Sequence, residues 1–449
     1  MKKPFTLNHL FPISIFLLLI VVLFSDVFFS GKVFIAKGTD SYYSHYSSAA
    51  YFRNVVRTGV IPFWNPLSVC GTPFGAISTS NICMLNILVY LFKNLNLAWN
   101  LRMLSNVFLS ALFTFLYARK IGLSKLSGLL SGIVYSFSPF AQSFTINFAE
   151  SYSFFLPLCL LLVEYYYSAR KISTVFLTAL AFSFCILSSN LQFSFYIGIF
   201  FSLYVLLRFR SLLGFLIVLF SAGSVSFYTF RVLEAVSISQ RPVLHFIDIL
   251  LPTHLITMIF PFLFESTFMT ETNFFFAHLF EEATRLFLHT DKLLYIFPPY
   301  VSIIGLTFCL FSLREKYKVA RFYRMTVLVV LLYLMSFPFL SPLYRLIPLI
   351  GRMPTVERIG VLLTFSLSML VGFGVEVVLR KKTKLKPSFL FYGGISFVVV
   401  STFSMIRLLI KFRGDGIKSY FMSYISNHVV GTREHIRSLD FYMKRIDEF

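Results

Sequence analysis

The segment FPISIFLLLIVVLFSDVFF, Phe11 to Phe29, decides the fold class. A bilayer core takes about 20 mainly apolar residues per helix, and this run is nearly that long. It is longer than the apolar core of a secretory signal, and no small-residue cleavage site closes it, so it reads as a retained first membrane helix. Similar stretches recur as far as Lys411, so the chain is expected to cross the membrane repeatedly. Composition agrees. Of 449 residues, 57% are hydrophobic, 58 are phenylalanine and only 13% are charged, against about 25% charged in soluble domains.

The net charge of +21 would suit nucleic acid, but basic residues flanking membrane helices report orientation and contact with anionic lipid. Nucleic acid is therefore not an expected partner. With Met1-Lys2-Lys3 on the cytoplasmic side, the basic connections Arg119 to Lys125, Arg170-Lys171, Arg208 to Arg210, Arg314 to Arg324 and Arg380 to Lys386 must all lie on that side too. The pattern closes with about 11 spans, near 11–30, 98–118, 126–144, 149–168, 173–188, 190–207, 212–233, 293–313, 322–341, 357–379 and 389–410. The segments 82–93 and 250–264 are left over and read as half-inserted or surface helices. The expected fold is thus an all-α polytopic membrane domain over 1–410. It has long outer loops at 31–97 and 234–292, and an extracytoplasmic tail over 411–449.

Of the 19 acidic residues, this threading leaves only Glu164, Glu315 and Glu376 on the cytoplasmic side. Carboxylates gathered at one face mark that face for binding or chemistry, unless the longer outer loops alone account for the sorting. The five cysteines show no paired or metal-ligating spacing and read as packing residues. No phosphate-binding glycine loop, dinucleotide fingerprint or nucleophile elbow is present, so soluble nucleotides are not expected substrates.

The first outer loop holds the most informative stretch, GTDSYYSHYSSAAYFRNVVRTGVIPFWNP, residues 38–66. Its early part is expected to be an interfacial helix. Tyr42, Tyr46, Ala49, Ala50, Phe52 and Val56 would form the apolar side, and Ser44, Ser47, Ser48, Arg53 and Arg57 the polar one. Gly59 ends it, and the prolines at 62 and 66 hold the following residues extended.

These residues resemble the first outer loop of the bacterial YfhO family, membrane proteins related to the GT-C glycosyltransferases. The likeness rests on Gly38-Thr39-Asp40-Ser41-Tyr42-Tyr43, on Pro62-Phe63-Trp64-Asn65-Pro66 and on Cys70-Gly71-Thr72-Pro73-Phe74. It continues in order through Glu150-Ser151, Ser189-Asn190-Leu191-Gln192 with Tyr196, Leu233-Glu234 with Gln240-Arg241, Arg352-Met353-Pro354 with Arg358, and Gly372-Phe373-Gly374. Two departures are His45, where the family often has glutamine, and Met84, where it has proline. The resemblance implies a multi-pass protein of the cytoplasmic membrane. Its activity would be transfer of a sugar from a polyprenyl-phosphate-linked donor to a cell-envelope glycan or lipid.

The resemblance further implies that Asp40 faces the donor sugar. A carboxylate there could take the proton of an acceptor hydroxyl, although Asp40 also stands where a helix N-cap would. Glu150 would hold the acceptor or a divalent cation, or only stabilise a helix start. Arg241, Arg352 and Arg358 are expected either to grip the donor phosphate with paired donors or to meet lipid headgroups. Tyr43, Trp64 and Asn65 would contact the sugar, or shape the turn. Gln192, with Ser189 and Asn190, would line the same cavity or satisfy the backbone of its turn. No cofactor is expected, and His278, Glu281, Glu282, His289 and Asp291 follow no zinc spacing. Two other readings stay open: a transporter or flippase of lipid-linked glycans, and a non-catalytic accessory protein that binds polyprenyl lipid.

Overall fold

The computed structural model describes residues 10–29, 31–35, 41–60, 62, 64–66, 71–73, 84–148, 152–230, 234, 301–334 and 356–381. The chain divides into two compact units, and every described residue belongs to the larger. The smaller unit, Thr270–Phe275 with Lys382–Phe449, lies outside the described residues, as do the expected span 389–410, the segment 250–264 and the C-terminal tail.

The described fold is helical. In chain order it has α1 (Leu10–Leu23), α2 (Ser25–Phe29), α3 (Tyr46–Val56), α4 (Ile87–Leu91), α5 (Leu95–Lys120), α6 (Lys125–Ser136), α7 (Pro139–Phe148), α8 (Phe155–Ala169), α9 (Ile172–Ser188), α10 (Leu191–Phe209), α11 (Leu213–Ser224), α12 (Ser302–Ser312), α13 (Lys318–Leu334) and α14 (Gly360–Lys381). A two-residue ladder, β1 (Trp64–Asn65) with β2 (Thr72–Pro73), is antiparallel and pairs Trp64 with Pro73.

Among the described residues, three helices are long and apolar enough to cross a membrane: α5, α10 and the stretch Gly360–Arg380 of α14. Five more, including α8, α9 and α12, are apolar but shorter. At 1.5 Å per residue a 17-residue helix reaches only about 26 Å, short of the ~30 Å hydrocarbon core. The count of about 11 full-length spans is therefore not what the described helices provide. The expected span 126–144 is in fact two helices. Pro139 opens α7 with its fixed φ, Ser138 Oγ accepts from the Ala141 amide at 3.2 Å, and Gln142 Nε2 donates to the Ser136 carbonyl at 2.6 Å. Likewise α8 begins at Phe155 rather than near 149, and α11 is broken by a turn at Val225 before the helical residues 226–230.

α14 is the central helix, buried along nearly its whole length against α6, α12 and α13. Its Phe365 sits at the middle of an aromatic cluster, with Tyr135 edge-on at 5.0 Å and Tyr117, Phe200 and Tyr323 around it. Close helix approach in a membrane bundle depends on small residues at the interface, because lipid supplies no hydrophobic drive between helices. Here Gly372 lies against Ser131 and the Ser127 carbonyl of α6, and Gly374 against the Phe308 carbonyl of α12.

The basic helix ends are joined to one another. Lys120 rests on the Tyr165 ring at 4.2 Å, Arg208 Nε bonds Glu164 at 3.2 Å, and Arg380 Nε bonds Glu376 at 3.0 Å. Glu376 also accepts from the Ser124 amide and the Ser127 hydroxyl at 2.7 and 2.9 Å, tying the start of α6 to the end of α14.

Candidate functional site

α5 carries the first loop on its opening turns. Asn94 caps it, its Oδ1 accepting from the Leu97 amide at 3.1 Å. Asn100 Oδ1 then accepts from the Phe34 amide at 2.7 Å while its Nδ2 donates to the Lys32 carbonyl at 2.9 Å, and Trp99 Nε1 donates to the Phe34 carbonyl at 3.2 Å. The chain leaving α2 is thereby strapped to α5 before it reaches the quoted stretch.

The helix in that stretch is turned partly away from expectation: Ala49 is buried and Ser47 and Arg57 exposed as expected, but Ser48 and Arg53 turn inward and Tyr42 outward. Its buried side is Ser41, His45, Ser48, Ala49 and Arg53, while Tyr42, Tyr43, Ser47, Asn54 and Arg57 are exposed. The reason is that its polar groups find partners inside. Arg53 Nη2 donates to the carbonyls of Phe92, at 2.7 Å, and Lys93, and Arg57 Nη2 reaches those of Tyr90 and Phe92 at 3.3 Å. Both guanidiniums thus satisfy the carbonyls that the end of α4 leaves open, where a cation also meets the negative end of the helix dipole.

Beneath this helix lies a group to which sequence alone assigned no role. Arg102 is fully buried. Its Nε donates to Tyr152 Oη at 2.7 Å, and its guanidinium stands 4.7 Å from the Trp99 ring and 5.6 Å from the Tyr152 ring. The signal for it in the sequence, not used above, is that it is the one cation inside the apolar run 98–118. Polar groups continue inward from there: Asn106 Nδ2 donates to Thr145 Oγ1 at 3.0 Å, and the Ser110 and Ser153 hydroxyls meet at 2.8 Å.

His45 is 6% exposed, and burial, with the Arg102 charge beside it, pushes its pKa down to about 3. A histidine that resists protonation when folded, against its ordinary pKa of 6.5, makes stability fall as pH drops below 6.5, because only the unfolded chain takes up the proton. Above 6.5 both states are neutral and the effect vanishes. His45→Gln is expected to spare the protein about 2 kcal/mol of the stability that wild type loses between pH 6.5 and 5. Unfolding temperatures in detergent across that range test this, and parallel curves for the two proteins would exclude it.

The Trp-Asn-Pro turn is held onto the same helix, with Tyr51 Oη donating to the Trp64 carbonyl at 2.9 Å. The Trp64 ring, half exposed, covers Gly71, whose φ of 112° is open to glycine and whose missing side chain makes room for the indole. Asn65 is buried and Tyr43 exposed, its ring edge-on to Tyr42 at 5.2 Å.

A second polar group assembles from distant segments. Arg358, just ahead of α14, donates through Nη1 to Asn190 Oδ1 at 2.8 Å and Gln192 Oε1 at 3.2 Å. Asn190 Oδ1 also caps α10, accepting from the Gln192 amide at 3.0 Å, and Gln192 Nε2 donates to Tyr196 Oη at 3.1 Å. Gln192 and Arg358 are therefore brought together. Asp40, Glu150, Arg241 and Arg352, with the acidic and histidine residues at 278–291, lie outside the described residues. No group of three or more potential metal ligands occurs among the described residues. No protein-family model and no curated protein matches the chain.

Proposed function

We propose that the protein is an integral membrane glycosyltransferase of GT-C type. In this reading the five shorter apolar helices cross the bilayer together with α5, α10 and α14. The N-terminus and the joined basic ends face the cytoplasm, as the positive-inside rule requires, and the C-terminal tail is extracytoplasmic. The observation that carries the reading is the meeting of Arg358 with Asn190 and Gln192. These residues belong to two separate elements of the family-like series, and their contact supports treating that series as parts of one site.

The donor is a sugar on polyprenyl phosphate, and the acceptor a hydroxyl of an envelope glycan or lipid at the extracytoplasmic face. Asp40 takes the acceptor's proton as its oxygen attacks the anomeric carbon. The bond from that carbon to the phosphate oxygen breaks, and the polyprenyl phosphate leaves with the electron pair. Glu150 orients the acceptor, Arg241, Arg352 and Arg358 hold the phosphate, and Tyr43, Trp64, Asn65 and Gln192 contact the sugar. No cofactor enters this scheme.

Asp40→Asn is expected to lower the yield of glycosylated envelope polymer or lipid at least about 100-fold, the usual contribution of a general base. Protein level and binding of polyprenyl lipid should stay unchanged. Equal product from wild type and variant would eliminate Asp40 as the base. Absence of product from both would favour a lipid-binding accessory protein.

A further inference from the structure

α8 and α10 end in the same unusual way. Each closes on an arginine in the left-handed conformation, Arg170 at φ 53° and Arg210 at φ 55°, with the amide still bonded to the carbonyl four residues back, at 2.6 and 2.8 Å. Glycine takes this position without strain, whereas a residue with a Cβ does not. At both positions a long cationic side chain stands where glycine would relieve the backbone.

The surroundings explain what it can meet. The rings of Tyr167 and Phe209, from the last turns of the two helices, stack at 3.7 Å and 7°. The Arg170 guanidinium stands 5.0 Å from the Tyr167 ring and 5.7 Å from that of Tyr166, and Arg208 stands 5.5 Å from the Phe209 ring. Lys120 rests on Tyr165 at 4.2 Å, so the run Tyr165-Tyr166-Tyr167 forms a shelf on which cations from α5 and α8 are laid out. Arg208 is neutralised by Glu164. Arg170, Lys171 and Arg210 are exposed, and among the described residues no carboxylate pairs with any of them.

We propose that Arg170 and Arg210, flanking the Tyr167–Phe209 stack, form a binding surface for the headgroup of an anionic phospholipid. Charge favours that partner. Exposed guanidiniums at the end of a membrane bundle, with tyrosines at headgroup depth, match a phosphate carried on a lipid better than a zwitterionic surface. The proposal rests on the membrane-spanning reading of the bundle and is independent of glycosyl transfer.

The test uses the full chain purified in nonionic detergent and titrated with phosphatidylglycerol, phosphatidylcholine or inorganic phosphate. Wild type is expected to prefer phosphatidylglycerol. Each of Arg170→Gly and Arg210→Gly should weaken that binding about fivefold, the factor corresponding to one basic residue at an anionic surface. The unfolding temperature in lipid-free detergent should stay the same or rise as backbone strain is relieved. Arg170→Lys with Arg210→Lys should retain most of the lipid response. Undiminished preference for phosphatidylglycerol in the double glycine variant would overturn the proposal. So would a lower unfolding temperature in that variant without lipid, which would make the arginines structural. An equal response of wild type to inorganic phosphate would also overturn it, because the lipid would then not be the ligand.

Discussion

Replacing Glu164 by leucine is expected to destabilise the bundle by about 3 kcal/mol, because one carboxylate holds together groups from four helices. Glu164 on α8 is 6% exposed and accepts from Tyr204 Oη and Arg208 Nε of α10. Tyr204 Oη accepts in turn from Tyr117 of α5 at 2.9 Å, and Tyr117 Oη from Tyr323 of α13 at 2.6 Å. Arg208 continues the network to Tyr317 at 2.9 Å. Without the carboxylate, a buried hydroxyl loses its acceptor and a guanidinium its counter-charge. Breaking a fully buried pair costs about 3–5 kcal/mol. The lower figure applies because the Arg208 side chain is 22% exposed and can turn toward solvent. Tyr204→Phe alone should cost about 1 kcal/mol, and the double variant less than the sum, since both changes break one network. Unfolding of the four proteins in detergent gives this cycle directly. Strict additivity would show that the hydroxyls and the carboxylate act separately.

Gly374→Leu is expected to prevent α12 from docking on α14. A side chain at this position runs into the Phe308 carbonyl, which belongs to a helix backbone and cannot rotate away. Overpacking a core usually costs about 1–3 kcal/mol, and the upper part of that range applies where backbone must move. Gly374→Ala should shift stability in the same direction by less. Gly223 in α11 is the control, having nothing within 4 Å of an added Cβ. Gly223→Ala should be neutral or stabilising by up to about 1 kcal/mol, as for any helical glycine without a packing role. The fraction of monodisperse protein after purification and its unfolding temperature separate the outcomes. A Gly374→Leu protein as stable as wild type would show that the two helices need not approach so closely.

Much of the helical layout was legible in order along the chain. Apolar runs and basic punctuation located α5, α9, α10 and α14 within a few residues, since both signals are local properties of sequence. The breaks were harder to see. Serine hydroxyls and a proline divide the run 126–144 into α6 and α7 without interrupting its apolar character, and hydropathy cannot register that. Two polar residues of α3 depart from the expected orientation for a related reason. Arg53 and Ser48 look solvent-facing by residue type, but the carbonyls at the end of α4 lie inside and draw the guanidinium inward.

The functional residues divide in the same way. Gln192 and Arg358 could be named as candidates from their motifs, yet their contact spans 166 residues and follows only from how α10 meets the start of α14. Arg102 stood in plain view within an apolar run, but its aromatic surroundings come from separate segments, Trp99 one turn before it and Tyr152 at the entrance to α8.

By itself, the sequence determined that the chain is helical and apolar enough for a membrane, where the basic helix ends fall, and which residue types recur in a family-like order. Tertiary structure alone decided which polar groups turn inward, that Glu164 and Arg102 become centres of buried networks, and that Arg358 meets Asn190 and Gln192 in a partly buried one. The physical reason is the cost of burial. A polar group removed from water must find a partner, and that partner is chosen by packing between helices far apart in the chain.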